Sequence, residues 1–132
     1  MTRAFLDTGA IYSFINKNDP DHKAVLSAYS KVDFFLTHSA VMMETFSLIA
    51  KRIRKPVAIE VVAALTHSPK IELVHVDPTL ASQAWDRCKK FSDKEWDWID
   101  CVSFELMERR GIRNALALDR HFGQAGFRLL VP

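Results

Sequence analysis

Between Trp98 and Asp119 the chain reads WIDCVSFELMERR, then G, then IRNALAL, and ends on D. Trp98 to Arg110 has the length and composition of a helix, and Gly111 is the residue that closes it. Ala115 to Leu118 is a short apolar run of the kind that forms a buried strand, and an aspartate, Asp119, follows it directly. A helix feeding a buried strand that ends on an acid is half of a parallel α/β repeat. The rest of the chain supplies the other halves.

Upstream, Ile71–Val76 reads as a strand, and Asp77-Pro78 caps and starts a helix running to about Phe91. Downstream, Phe127–Val131 reads as a last strand, entered through Gly123 and Gly126. At the amino end, Arg3–Leu6 is a buried strand ending at Asp7. Gly9 signals a turn, and Ile11, Tyr12, Phe14 and Ile15 form a short helix. Asp19 is the expected N-cap of the next helix, with Pro20 at N1 and His22 at N3, and Ala24, Val25, Ala28 and Tyr29 on its apolar face. Phe34–Thr37 is a second buried strand. Ser39 is placed to cap a helix reaching Arg52. Pro56 breaks the pattern, and Val57–Leu65 resumes it as helix. Five strands alternating with helices predict an α/β fold with a parallel sheet covered on both faces.

The chain has 132 residues, and a single domain spanning 1–132 is expected. With 48% hydrophobic and 26% charged residues it can bury a core, and disordered or coiled-coil classes are excluded. Lys plus Arg number 18 against 16 Asp plus Glu, a net charge of +2, so the placement of charges carries more than their sum. Cys88 and Cys101 make no disulfide framework and no zinc spacing. Asp7 comes too early for a signal peptide, and no run of about 18 apolar residues exists to span a membrane, so a cytoplasmic location is expected.

Four acids sit where stability alone would not put them. Asp7 and Asp119 follow the first and fourth strands, and ligands of open α/β sheets bind outside the carboxyl ends of strands. Glu44 lies on an otherwise apolar helix segment with no basic residue three or four positions away. A carboxylate there is costly to bury unless it is paired or bound to a cation. Asp97 has the form of an N-cap with Asp100 at N3, which suits the helix dipole and also presents Asp100 to a cleft. Hard oxygen donors without clustered Cys or His point to Mg2+ or Mn2+, and a carboxylate cluster of this kind is typical of phosphodiester hydrolysis.

These residues resemble the PIN-domain ribonucleases, in particular the toxins of VapBC-type toxin–antitoxin modules. The pieces are Phe5-Leu6-Asp7-Thr8-Gly9-Ala10, Asn18-Asp19-Pro20-Asp21-His22, Glu44-Thr45, Trp98-Ile99-Asp100-Cys101-Val102-Ser103-Phe104, Arg110-Gly111-Ile112, Ala117-Leu118-Asp119-Arg120-His121-Phe122 and Ala125-Gly126-Phe127. The resemblance spans nearly the whole chain. It implies a three-layer α/β/α fold with a central parallel sheet of about five strands. It places the acidic metal ligands at Asp7, Glu44, Asp100 and Asp119, with Asp97 a supporting residue around them. It also implies cleavage of single-stranded or loop regions of RNA to 5′-phosphate and 3′-hydroxyl ends, a homodimer, and inhibition by a cognate antitoxin protein. In one respect the chain departs from the pattern. Many relatives carry Ser or Thr before the third acid, where Ile99 stands here.

On this reading Asp7 and Asp119 hold the principal metal, and Asp100 and Glu44 complete its surroundings. Arg120, adjacent to Asp119, is the first candidate for touching RNA phosphate. Lys51, Arg52 and Arg54 belong to the densest basic run, a second candidate for RNA phosphate that the end of a solvated helix explains better. Arg109, Arg110 and Arg113 form a second cluster. The histidines show no metal-ligand pair and are read as structural or surface residues. Trp85, Trp96 and Trp98 are read as packing rather than base-stacking groups, and Met42 and Met43 as core or partner surface. Asp7-Thr8-Gly9-Ala10 also matches the aspartic-protease tetrapeptide, but long helical patterns oppose that all-β fold. Gly9 stands where haloacid-dehalogenase phosphatases need a second acid, and there is no G-x-S-x-G, P-loop or G-x-G-x-x-G. The alternative that survives is a non-catalytic PIN-fold domain binding RNA or protein.

Overall fold

The computed structural model describes residues 1–132. Its elements are β1 (Arg3–Leu6), α1 (Thr8–Ile15), α2 (His22–Ser30), β2 (Phe34–His38), α3 (Ser39–Arg52), α4 (Lys55–His67), β3 (Ile71–Val74), α5 (Pro78–Lys90), α6 (Trp98–Arg110), β4 (Asn114–Leu116), α7 (His121–Gln124) and β5 (Arg128–Leu129). The five strands form one sheet in the order β3-β2-β1-β4-β5, and every pairing is parallel. The chain winds outward from β1 through β2 to β3, then returns to lay β4 on the other side of β1. The topological switch point is therefore the gap between β1 and β4. Asp7 leaves the end of β1 at that gap, and Asp119 follows three residues after the end of β4.

Helices cover both faces, giving three layers. Strand β1 is buried on both sides, as Ala4, Phe5 and Leu6 are at most 2% exposed. On one face Leu6 and Leu116 meet Ala10, Ile11 and Phe14 of α1 and Val25 of α2 around a wholly apolar cavity of about 140 Å3. On the other, an aromatic cluster fills the space under α6 and α7. The ring of Phe104 stands edge-on to Phe122 at 5.1 Å and to Trp96 at 5.2 Å, and Phe122 stacks on Phe5 at 5.9 Å. Helix α5 is clamped to α6 by Arg87, which donates to Glu105 at 2.8 Å and to Glu108 at 2.6 Å.

Several local expectations change in the structure. The helix expected to start at Pro20 begins at His22 instead. Asp19 does not cap it. Its carboxylate accepts from the Asp21 backbone at 2.9 Å and from the Ser13 hydroxyl at 2.8 Å, closing a turn that competes with helix. His22 is not a local N3 residue, because its Nδ1 bonds the Ser13 carbonyl at 2.8 Å and ties α2 to α1. Gly9 makes no turn, since α1 starts directly at Thr8. The cap of α3 is His38, not Ser39, whose hydroxyl accepts from the Val76 backbone at 2.9 Å. The third, fourth and fifth strands are shorter than their apolar runs. Helix α7, His121–Gln124, is an element for which the sequence carried no expectation. Pro56 lies in the first turn of α4, where its missing N–H costs nothing. Met42 is core at 5% exposure, whereas Met43 is 65% exposed.

His38 is buried and fully bonded. Nδ1 accepts from the Val41 backbone at 3.3 Å, and Nε2–H donates to the Ser103 hydroxyl at 2.8 Å, which in turn donates to the Ile99 carbonyl at 3.1 Å. The chain of bonds joins β2, α3 and α6. It needs a neutral ring, and burial pushes the His38 pKa down from 6.5 to about 4. Unfolded chains take up this proton near pH 6.5, so the stabilising contribution of neutral His38 is present above that pH and is lost as pH falls toward 4. We expect the imidazole nitrogens of His38 to report a neutral ring by NMR down to about pH 4. A midpoint at the ordinary histidine value would contradict the network.

Candidate active site

The cleft at the switch point has a volume of about 280 Å3 and is lined by Asp7, Thr8, Gly9, Glu44, Leu48, Asp97, Asp100 and Asp119. The acids arrive from four places in the chain, with Asp97 and Asp100 together at the start of α6. Asp7 is the residue between β1 and α1, and its backbone N–H donates to the Leu116 carbonyl at 3.1 Å, which fixes it to β4. Glu44 comes from the middle of α3, one turn before Leu48. Its Oε1 accepts from the Thr8 hydroxyl at 2.7 Å, and the Thr45 hydroxyl donates to Thr8 Oγ1 at 3.3 Å. Thr8 and Thr45 are buried, so this pair holds one Glu44 oxygen and leaves Oε2 to the cleft.

Asp97 and Asp100 form a full capping box at the start of α6. Asp97 Oδ1 accepts from the Asp100 backbone at 2.8 Å, and Asp100 Oδ2 accepts from the Asp97 backbone at 3.1 Å. Gly111 closes the same helix in the left-handed region, at φ 65°. Asp119 opens the turn into α7, its Oδ1 accepting from the His121 backbone at 2.9 Å. His121 then folds back over the two acids. Its Nδ1 lies 3.0 Å from Asp100 Oδ2 and 3.1 Å from Asp119 Oδ2.

The electrostatics of the cleft are strained in the absence of a cation. Burial first, then the charges of Asp100, Glu44 and Asp119, push the Asp7 carboxyl from 3.8 up to about 7, against a lowering backbone bond from Thr8. Burial and the neighbouring Asp97 push Asp100 up to about 6, although Asp97 and His121 bond to it. Like-charged carboxylates drawn together out of water are relieved by a bound cation. This donor set fits a hard divalent ion, with Asp7, Asp100, Asp119 and Glu44 as the oxygen donors. The tightest grouping is Asp100, Asp119 and His121, each offering one atom within 4.8 Å of the others.

All four predicted acids and Asp97 line one cleft. Sequence reasoning missed Thr8, whose hydroxyl carries Glu44, and His121. The signal for His121 was its place two residues after Asp119, a spacing that a turn brings side by side. The basic residues divide. Arg109 donates to Gln83, Arg110 pairs with Glu72 at 2.8 Å, and Arg113 donates to the Gly126 carbonyl, so that cluster is structural. Lys51, Arg52, Arg54 and Arg120 are exposed and pair with no carboxylate. Lys51 and Arg52 do end α3, as its dipole favours, and Arg52 lies over the Tyr12 ring at 5.3 Å. Trp96 is buried, but Trp85 and Trp98 are about half exposed and lie against each other at 5.1 Å.

Removal of the Thr8 hydroxyl tests how Glu44 is held. Thr8→Val keeps the volume and frees the Glu44 carboxylate. Turnover of whatever reaction the cleft runs is expected to fall roughly 10- to 100-fold, with divalent-ion affinity within about threefold of wild type, measured by steady-state kinetics and calorimetry.

Residues 4–128 match the PIN-domain family. The chain is 32% identical over 124 residues to the 23S rRNA-specific endonuclease VapC20 of Mycobacterium tuberculosis, covering 93% of this chain and 94% of that protein. The crystal structure of the same VapC20, described as a sarcin-ricin-loop-cleaving toxin, superposes with a TM-score of 0.88 at 30% identity, over 94% of this chain and 95% of that one. More distant folds are also alike. VapBC2 of Rickettsia felis, solved bound to a promoter DNA fragment, gives a TM-score of 0.67 at 12% identity over 97% of both chains. FitAcB of Neisseria gonorrhoeae gives 0.68 at 15% identity over 96% of this chain and 95% of that one.

Proposed function

The chain belongs to the PIN-domain family, and from that premise we propose that it is a divalent-metal-dependent endoribonuclease of the VapC toxin type, cutting 23S ribosomal RNA and restrained by a cognate antitoxin. The observation that carries the proposal is the convergence of Asp7, Glu44, Asp97, Asp100 and Asp119 on one cleft at the switch point. The likeness to VapC20 over almost the full length of both chains supports the substrate class.

Asp7, Asp100 and Asp119 would hold the ion, which when bound supplies Lewis-acid activation of water and neutralises phosphoryl oxygens. Glu44 Oε2, the oxygen that Thr8 leaves free, accepts a hydrogen bond from the attacking water and aims it at phosphorus. Water adds to phosphorus and gives up a proton, the bond to the 3′-oxygen breaks, and that oxygen takes up a proton from solvent, leaving a 5′-phosphate and a 3′-hydroxyl. The RNA backbone has a basic path to follow. Lys51 lies two helical turns beyond Glu44 on α3, about 10 Å along the axis, and Arg120 follows Asp119 as the N-cap of α7.

No helix is long and apolar enough to cross a membrane. The test of function is intact ribosomes and naked ribosomal RNA incubated with Mg2+, with Mn2+ and with EDTA, with product ends mapped. One or few metal-dependent cuts in 23S RNA with 5′-phosphate ends are expected. A folded, metal-binding protein that cuts no ribosomal RNA would overturn the substrate assignment.

A further inference from the structure

We propose that His121 is itself a ligand of the metal centre, through Nδ1, and that this nitrogen makes the centre prefer Mn2+ to Mg2+. The inference rests on the reading of the cleft as a divalent-cation site and adds a donor that the acidic set does not contain.

Geometry is the first argument. An octahedral ion with bonds of about 2.1 Å has adjacent donors about 3.0 Å apart. His121 Nδ1 stands 3.0 Å from Asp100 Oδ2 and 3.1 Å from Asp119 Oδ2, so the nitrogen has the spacing of a neighbouring corner to each oxygen, and the three donor atoms lie within 4.8 Å of one another. As Nδ1–H the same atom donates to both carboxylates and keeps the ring aimed between them. As the other tautomer, with the proton on Nε2, the ring presents a lone pair at the same point.

Placement is the second argument. The backbone N–H of His121 is fastened to Asp119 Oδ1, and Phe122, the next residue, is fully buried against Phe5 and Phe104. The backbone that carries the ring is therefore fixed beside the two acids. Its side chain is 17% exposed, enough for Nε2 to reach water.

Donor chemistry sets the metal. Carboxylates alone serve Mg2+ and Mn2+ about equally. An imidazole nitrogen is a softer donor that first-row transition ions accept readily, whereas Mg2+ keeps oxygen ligands and its own waters.

The experiment uses the full chain with Mn2+ alone. Pulsed electron paramagnetic resonance reads 14N coupling to the bound ion, and competition titration gives Mn2+ and Mg2+ affinities. Wild type is expected to show 14N modulation and an affinity for Mn2+ at least tenfold above that for Mg2+. In His121→Ala the modulation disappears and Mn2+ affinity falls about 10- to 100-fold, while Mg2+ affinity changes less than threefold. His121→Asp, which restores an oxygen donor, binds both ions with the preference largely erased, and circular dichroism checks that each variant is folded. Mn2+ that binds wild type, is lost in Asp100→Asn and shows no 14N coupling would overturn the role of His121 while leaving the proposed function standing. Wild type that binds no Mn2+ would overturn both.

Discussion

With cations removed at pH 8, Asp7→Asn is expected to melt several degrees above the wild type while cutting RNA about a thousandfold more slowly in Mg2+ or Mn2+. The two effects share one cause. Asp7 is held among Asp100, Glu44 and Asp119 in a buried position, and its pKa rises from 3.8 to about 7. A carboxyl whose folded pKa is raised penalises the fold above that pKa, and the penalty fades as pH falls from about 7 toward 4. The shift corresponds to roughly 2–4 kcal/mol above pH 7. Asparagine fills the same space without charge and removes the penalty, but it is a poor ligand for a hard cation. Asp100, raised to about 6, acts in the same direction. Cation-free wild type should therefore gain stability on mild acidification, and Asp7→Asn should gain much less. Thermal melts from pH 8 to pH 6.5 in EDTA, above the range in which neutral His38 loses its contribution, read both. A wild type that loses stability over that range would contradict the crowding of charge in the cleft.

Phe104→Ala should be the most damaging change outside the cleft. Phe104 is fully buried on α6 and packs against Phe122, Phe127 and Trp96. Loss of such a ring costs about 3–5 kcal/mol, a large part of the 5–15 kcal/mol typical of a domain. The loss also reaches the site. Asp100 sits one turn before Phe104, and Asp119 and His121 are held by the helix that Phe122 anchors. Divalent-ion affinity should fall together with the urea midpoint. An unchanged midpoint would show that α7 is held by something other than this aromatic contact.

The alternation of apolar strands and helices was plain in the chain, because each central strand is buried on both faces and reads as an unbroken apolar run. The same property blurred strand ends. Val76, Leu118 and Val131 continue their runs yet lie beyond the ladders, since apolarity records burial and not backbone pairing. Caps were legible where one side chain served its own helix, as Asp77 and Asp97 do. They were not legible where a distant partner intervened. Ser39 is taken by Val76, Asp19 by Ser13, and His38 reaches Ser103, 65 residues away. Asp7 and Asp119 stood out because they follow apolar strand runs, and Glu44 because no basic residue lies three or four positions from it. Thr8 and His121 did not, since a hydroxyl and an imidazole are unremarkable until the turns after β1 and β4 bring them to the carboxylates.

Asp7, Glu44, Asp100 and Asp119 at the β1–β4 switch point are proposed to make one divalent-cation site. The most direct test is a crystal structure of the protein grown with Mn2+, with anomalous differences collected above the manganese edge. A peak within bonding distance of Asp100 and Asp119 and facing Asp7 is predicted, and it should vanish in Asp100→Asn. An empty cleft at saturating Mn2+, or manganese bound only elsewhere on the surface, would contradict the account.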